Sequence, residues 1–327
     1  MAGKAAMATD NPASPSPGPA ISIVVPVYNE EKNLPELHRR LQAALAGVGG
    51  AAEIIFVDDG STDRSLDAML ALRRDDPAVK IVSLSRNFGQ AMALAAGIDR
   101  ARGEAVVTLD ADLQHPPELI PELIARWRAG ARVVNTARRE GALGATGAGK
   151  KMTSRLFYAL FRRIAGLDLP SGSADFRLLD RSVVETLKSM KERARFWRGL
   201  VRWAGFRQEC VAYAPDPRQA GKSKYSLPRM LTLALDGITS FSAFPLRLAA
   251  YLGLIVTGLS FLYILYALAI RIFTARAIPG WTSVLVSVLF LGGIQLVFLG
   301  VIGEYLIRIF EETKARPLYI VDKTYGW

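Results

Sequence analysis

The chain has 327 residues, half of them hydrophobic, with one cysteine, two histidines and a formal net charge of +11. This length suits one large domain with an appendage, and a single cysteine excludes both an internal disulfide framework and a cysteine zinc site. With only two histidines, any metal must be held mainly by oxygen atoms, which favours Mg²⁺ or Mn²⁺.

The first two thirds of the chain predict an α/β fold. Residues 1–20 are rich in Ala, Pro and Ser without the apolar run of a signal peptide, so they are predicted to form a disordered tail. Short β-branched runs at 21–28, 53–59, 80–85 and 105–112 then alternate with amphipathic stretches at 31–46, 62–74 and 88–101. This alternation predicts a mainly parallel sheet with ligands at the carboxyl ends of its strands.

Three of the predicted strands end in polar clusters, Tyr28-Asn29-Glu30, Asp58-Asp59 and Asp110-Ala111-Asp112. Side chains alternate along a strand, so Asp110 and Asp112 point to one side and repel each other unless a divalent cation holds them. Gln114 adds a neutral oxygen, and the set predicts a magnesium or manganese site. Neither of the glycine-rich loops that cradle phosphates elsewhere is present. This combination fits sugar transfer from a nucleotide better than hydride or phosphoryl transfer.

The C-terminal third predicts a membrane anchor. Residues 248–270 and 277–303 carry no charge, and a helix needs about 20 apolar residues to cross a bilayer. The predicted division is therefore a catalytic domain over 21–226, a juxtamembrane amphipathic helix over 227–245, transmembrane helices over 246–271 and 278–303, and a cytoplasmic segment over 304–327.

Basic residues cluster at 138–163, 191–207 and 218–229, and the last two stretches lead up to the apolar region. No nucleic-acid-binding motif is visible, so these stretches favour an anionic membrane surface. Arginine and lysine flank both apolar runs, while the connection between the runs is very short. The chain is therefore predicted to be an integral protein of the inner membrane, and the positive-inside rule predicts that its catalytic domain lies on the cytoplasmic side.

The segments PVYNE (26–30), VDDGSTD (57–63), DADLQHPPE (110–118) and SADFRLLDR (173–181), followed by paired apolar runs, resemble family 2 glycosyltransferases of GT-A fold. More narrowly, the chain resembles polyprenyl-phosphate glycosyltransferases, the bactoprenol glucosyltransferases and dolichol-phosphate mannose synthases, and the resemblance covers about residues 20 to 323. It implies transfer of a sugar, with UDP-sugar as the first expectation and GDP-sugar as the second, to undecaprenyl or another polyprenyl phosphate. A homo-oligomer is left open.

The resemblance also implies roles for individual residues. The nucleotide-sugar would be bound by Pro26, Tyr28, Glu30, Asp58, Asp59, Asp110, Arg218 and Lys224, and the acceptor phosphate by Arg138, Lys150 and Ser154. Asp110, Asp112 and Gln114 would hold the metal, and Asp112 and Asp175 would be catalytic. Asp175 matches the family's candidate base. A phosphate monoester is largely dianionic at neutral pH, however, so Asp175 is expected to orient the sugar or stabilise positive charge instead.

Three other functions fit the sequence less well. A processive transferase such as a cellulose or hyaluronan synthase carries more membrane spans and a Q-x-x-R-W segment, and the sequence has neither. A non-catalytic scaffold would normally lose the acidic residues Asp110, Asp112 and Asp175, which are all present. Two spans alone form no obvious pathway for a transporter.

Overall fold

The computed structural model describes residues 19–138, 173–190, 192–193, 195–214, 242–274 and 280–327. The strands in these ranges are β1 (Ile21–Val27), β2 (Ala52–Asp58), β3 (Val79–Leu84), β4 (Ala105–Thr108), β5 (Val133–Arg138), β6 (Ser173–Asp180), β7 (Gln208–Tyr213) and β8 (Val321–Tyr325). The helices are α1 (Leu34–Leu45), α2 (Ser65–Asp75), α3 (Gln90–Arg100), α4 (Ile120–Arg128), α5 (Arg181–Ser189), α6 (Trp197–Trp203), α7 (Phe244–Thr274) and α8 (Trp281–Thr313).

All eight strands form one sheet in the order β7-β5-β6-β4-β1-β2-β3-β8. Strands β1 to β4 run parallel to one another, as do β5 and β7, whereas β6 and β8 are antiparallel to their neighbours. The predicted α/β fold with a mainly parallel sheet is therefore confirmed. The carboxyl ends of β1, β2 and β4 meet at one edge of the sheet.

Helices cover both faces of this sheet. Buried side chains of α1, α2 and α4, such as Leu37, Met69 and Leu123, pack on one face, and those of α3, α5 and α6 pack on the other. Helix α3 approaches the sheet closely at Gly97, where an added Cβ would clash with the side chain of Val24.

Asp180 joins three elements away from that edge. It caps α5 by accepting a hydrogen bond from the backbone N–H of Ser182 at 3.0 Å. Its carboxylate also accepts from the Trp127 indole and the Arg132 guanidinium, each at 2.8 Å. Burial alone would raise the pKa of Asp180, but these hydrogen bonds outweigh it and the pKa lies below its ordinary value.

We expect Asp180→Ala to lower the free energy of unfolding by about 2–3 kcal/mol, because it removes a helix cap and the acceptor of the partly buried Trp127 indole N–H. In a chain of this size that corresponds to a Tm lower by roughly 4–12 °C, measured on the full chain in detergent. The exposed Asp75→Ala is the matched control. Because the folded pKa is depressed, the contribution of Asp180 is present above its unfolded pKa of about 3.9 and is lost as the pH falls through the folded value. A gap between variant and wild type that is unchanged at acidic pH would contradict this account.

Helices α7 and α8 are long and apolar enough to cross a membrane. Their large side chains face outward; Leu254 is 69% and Leu296 is 70% exposed. Such a surface is covered by lipid or protein in a native setting. The predicted span 246–271 lies within α7, and α8, which begins at Trp281, contains residues 281–303 of the predicted span 278–303. Only residues 242–245 of the predicted juxtamembrane helix are described, and α7 already includes 244 and 245; residues 1–18 of the predicted tail lie outside the described ranges.

The C-terminal segment, residues 304–327, is not separate from the helix and the domain. Helix α8 continues ten residues beyond the predicted span, to Thr313. These last turns carry ion pairs on their surface, such as Arg308–Glu304. Strand β8 then pairs antiparallel with the edge strand β3. Glu312 accepts a hydrogen bond from the backbone N–H of Arg193 at 2.7 Å. The second apolar helix is thus tied directly to the α/β domain.

Candidate active site

The first two loops at the carboxyl edge of the sheet interlock. Asn29, after β1, has a positive φ of 58°. Its side-chain oxygen accepts from the backbone N–H of Thr62 at 2.8 Å, and its own N–H donates to Ser61 at 3.1 Å. The N–H of Glu30 donates to the Ser65 hydroxyl at 2.8 Å. The PVYNE and DDGSTD segments therefore form one rigid unit.

Asp58 and Asp59 are buried within this unit and brace the loops. Asp58 accepts from the backbone N–H of Ser61 at 3.0 Å and from the Ser83 hydroxyl at 3.2 Å. Asp59 accepts from the N–H groups of Phe88 and Gly89, at 2.7 and 2.9 Å. Because both oxygens of each carboxylate have these partners, the two residues shape the surroundings of the site through the backbone.

Asp110 lies after β4, where two other elements hold it. The Gln90 amide at the start of α3 donates to its carboxylate at 2.5 Å. Its backbone N–H donates to Nδ1 of the buried His115 at 3.3 Å. His115 also stacks on Phe176, with ring centroids 5.6 Å apart. Burial lowers the pKa of His115 to about 4, so the ring is neutral and acts as an acceptor that holds the loop.

Asp175, on β6, is held by two arginines. Arg198 donates from Nε to Oδ1 at 3.1 Å and from Nη2 to Oδ2 at 2.8 Å. The buried Arg177 donates to Oδ1 at 2.9 Å. Burial opposes ionisation, yet the positive charges of Arg198 and Arg177 outweigh it and bring the pKa of Asp175 down to about 2. The carboxylate is thus ionised and already occupied by guanidinium donors.

The site carries a local excess of negative charge at Asp110. Burial, followed by the charges of Asp175 and Asp112, raises the pKa of Asp110 to about 7. Asp112 accepts from the backbone N–H of Gln114 at 3.1 Å. The Gln114 amide oxygen accepts from Arg138 at 3.2 Å. Gln114 therefore links the predicted metal site to the predicted acceptor site, and its role as a third metal ligand stays a prediction.

The donor set fits a cation shared with phosphates better than a closed protein cage. Among the described residues, no group of three or more His, Cys, Asp or Glu side chains is arranged to hold a metal ion. Asp110 and Asp112 nevertheless supply two carboxylates, and Mg²⁺ commonly takes one or two carboxylates together with waters and substrate phosphates. A cation would also offset the burial and the carboxylate repulsion that together raise the pKa of Asp110.

The predicted site residues within the described ranges converge on this edge. Pro26 lies in β1 next to its end, Tyr28 is 38% exposed, and Glu30 accepts from the Asn33 amide at 2.6 Å. Arg138 ends β5 beside Gln114 and close to Tyr213. The remaining predicted residues lie outside the described ranges: Lys150, Ser154, Arg218 and Lys224.

Sequence reasoning missed four residues that shape the site: Gln90, His115, Arg177 and Arg198. The prediction that the basic stretch 191–207 faces a membrane surface is wrong for two of its arginines. Arg195 is buried and donates to the carbonyl of Met190 at 2.6 Å, and Arg198 binds Asp175. His115 and Arg177 lie within the quoted motifs, so they could have been found there. Arg198 is 23 residues from Asp175, and only the fold brings them together.

Solved structures offer distant likenesses. The mannosyltransferase PcManGT from Pyrobaculum calidifontis, in complex with GDP-Man and Mn²⁺, is 19% identical with a TM-score of 0.44, over 76% of this chain and 82% of that chain. Glucosyl-3-phosphoglycerate synthase from Mycobacterium tuberculosis, in complex with Mn²⁺, UDP and glucosyl-3-phosphoglycerate, is 21% identical with a TM-score of 0.43, over 68% of this chain and 78% of that chain.

Sequence relatives are much closer. The uncharacterised glycosyltransferase YkcC of Bacillus subtilis is 48% identical over 93% of this chain and 94% of its own. The bactoprenol glucosyl transferase of Shigella phage SfII and the prophage bactoprenol glucosyl transferase homolog of Escherichia coli are each 42% identical, over 93% of this chain and 98% of theirs. The model of glycosyl transferase family 2 matches residues 22–188, just over half of the chain. The chain therefore belongs to glycosyl transferase family 2 and is a glycosyltransferase, as its motifs predict.

Proposed function

We propose that this glycosyltransferase moves a sugar from a nucleotide-sugar to a polyprenyl phosphate, such as undecaprenyl phosphate, at the cytoplasmic face of the membrane. The assignment of this acceptor depends on one observation, that the similarity to a bactoprenol glucosyl transferase extends over 93% of this chain and 98% of that protein. It therefore includes the apolar helices as well as the α/β domain. An acceptor with a polyprenyl tail resides in a bilayer, which α7 and α8 are long and apolar enough to cross.

The proposed reaction is a single displacement. The acceptor phosphate is largely a dianion at neutral pH and needs no general base. Its oxygen bonds to the anomeric carbon of the sugar while the bond from that carbon to the nucleoside diphosphate breaks, so the configuration inverts. Asp175 is already held as an anion by Arg177 and Arg198. We infer that it orients the sugar or stabilises positive charge on it, and does not accept a proton.

Departure of the nucleoside diphosphate is harder to catalyse than activation of the acceptor phosphate, because negative charge develops on the leaving group. A divalent cation bound by Asp110 and Asp112 would stabilise that charge as a Lewis acid. Gln90 and His115 hold Asp110 in place for this role. We further propose that the interlocked loops at Tyr28 and Glu30 receive the nucleoside. Arg218 and Lys224 would meet the donor phosphates, and Arg138, Lys150 and Ser154 the acceptor phosphate.

The test is an assay of the purified full chain with polyprenyl phosphate, Mn²⁺ or Mg²⁺ and a panel of radiolabelled nucleotide-sugars. We expect one donor, with UDP-sugars as the first candidates, to transfer its label into the lipid extract. Chelation by EDTA should abolish the transfer, and either cation should restore it. If labelled glycan remains in the aqueous phase while the lipid extract stays unlabelled, the acceptor is not a polyprenyl phosphate.

The proposed orientation predicts which cysteines an external reagent reaches. In a Cys210→Ser background, which removes the exposed native thiol, we expect Ala275→Cys to react in intact cells with a membrane-impermeant thiol reagent. This position lies between the two apolar runs, outside the described residues. Ser223→Cys should react only after permeabilisation. The reverse pattern would place the catalytic domain outside and remove the proposed access to a cytoplasmic donor.

A further inference from the structure

We propose that Arg198 is a positioning residue for sugar transfer, which fixes the orientation of the Asp175 carboxylate in the cleft. This inference rests on the proposed function. Nε and Nη2 of Arg198 each bind a different oxygen of Asp175, at 3.1 and 2.8 Å. A planar fork on both oxygens restricts rotation of the carboxylate, which a single point contact cannot do.

Arg198 can act in this way because its own helix is anchored. The neighbouring Trp197 is 6% exposed, and its indole N–H donates to the carbonyl of Ala91 in α3 at 2.9 Å. Gln90, the residue before Ala91 in α3, donates a hydrogen bond from its side-chain amide to the Asp110 carboxylate at 2.5 Å. Helices α3 and α6 are therefore joined beside the two carboxylates that they hold, so the relative placement of Asp110 and Asp175 depends on this junction.

A purely stabilising salt bridge would be the simpler explanation, and the burial of the two arginines argues against it. The side chain of Arg177 is 4% exposed and already gives Asp175 a buried cationic partner. The Arg198 side chain is 33% exposed, so water can reach the Asp175 carboxylate on that side once the guanidinium is removed. Loss of Arg198 should therefore leave the fold intact while it releases the orientation of Asp175.

The test is a double-mutant cycle with Arg198→Ala, Asp175→Ala and the double variant, assayed for transfer to the acceptor that the panel identifies. Arg198→Ala should lower kcat roughly 10- to 100-fold, the effect of one charge-assisted contact, with the donor KM changed less than about twofold. The double variant should be no slower than Asp175→Ala, because Arg198 acts through Asp175. The exposed Arg202→Ala, on the same helix, should retain wild-type kcat and is the matched control.

Two further readouts separate positioning from structure. Guanidinium, added well below denaturing concentrations, should partly restore Arg198→Ala and leave Asp175→Ala unchanged. Arg198→Lys should stay impaired, because an ammonium cannot bind both oxygens as a fork. Additive losses in the cycle, an unchanged kcat in Arg198→Ala, or a lowered Tm that accounts for its loss would each overturn the proposal. If the wild type glycosylates no polyprenyl phosphate, the proposed function fails; the same cycle then applies to whichever acceptor or donor hydrolysis is observed.

Discussion

Asp112→Asn is expected to lower kcat at least about 100-fold while the fold stays intact. The substitution removes one charge from the proposed cation site and keeps the shape of the side chain. The asparagine carbonyl can still accept the hydrogen bond that the N–H of Gln114 donates to Asp112 at 3.1 Å. A loss of this size is typical when an enzyme loses one preorganised group that stabilises the charge developing in the transition state. The measurement is the initial rate of transfer in saturating Mn²⁺, with the Tm as a check on folding.

The exposed Asp67→Asn, in the first turn of α2, is the matched control and should retain wild-type activity. Calorimetry provides a second readout, since the donor should bind Asp112→Asn with a weaker dependence on Mn²⁺. If Asp112→Asn keeps more than a tenth of the wild-type rate in saturating Mn²⁺, the assignment of Asp112 to a cation site is wrong.

Arg138→Ala is expected to lower kcat/KM for polyprenyl phosphate roughly 10- to 100-fold, because truncation of a charge-assisted hydrogen bond costs about 1.5–3 kcal/mol. Arg138 is the last residue of β5, and its guanidinium donates a hydrogen bond to Gln114. It therefore lies at the border of the cation site that we propose at Asp110 and Asp112. Binding of the nucleotide-sugar, measured by calorimetry without lipid, should change little.

Arg74→Ala, which removes an exposed arginine at the end of α2, serves as the charge-matched control. Arg138→Lys should retain part of the activity, because it keeps the positive charge without the fork. A variant Arg138→Ala that loses donor binding while its KM for the lipid stays constant would assign this arginine to the donor diphosphate. Lys150→Ala can be compared with it, since the resemblance assigns both residues to the acceptor phosphate.

The parallel half of the sheet could be predicted because its strands are buried on both faces. Such strands appear in the sequence as continuous apolar runs, and each of the four predicted runs overlaps one of the strands β1 to β4. Strands β2 and β3 begin one residue earlier than predicted, and β4 ends at Thr108, so that Asp110 and Asp112 lie in the loop after it. The strand order also places Asp58 and Asp110 at one edge, since parallel neighbours end on the same side. The polar edge can therefore be predicted from the sequence alone.

Strand β8 could not be predicted in the same way. It has only five residues, the middle three of which are exposed, and it exists because the edge of β3 is available for pairing. Arg198 illustrates a second limit. In the sequence it belongs to a basic stretch that resembles a solvated surface, and it becomes part of the site only when α6 packs against α3 and β6. Contacts between distant segments depend on the folded topology, which local patterns do not encode.

In the proposed reaction, a phosphate on a polyprenyl chain receives the sugar. The most direct measurement supplies the purified full chain with equal amounts of polyprenyl phosphate and the unphosphorylated polyprenol of the same length, together with the active nucleotide-sugar and Mn²⁺. Mass spectrometry of the lipid extract then identifies the product. We predict one species, polyprenyl phosphate carrying a single sugar residue, formed in equal amount to the released nucleoside diphosphate. Glycosylated polyprenol, or release of nucleoside diphosphate with neither lipid modified, would contradict the account.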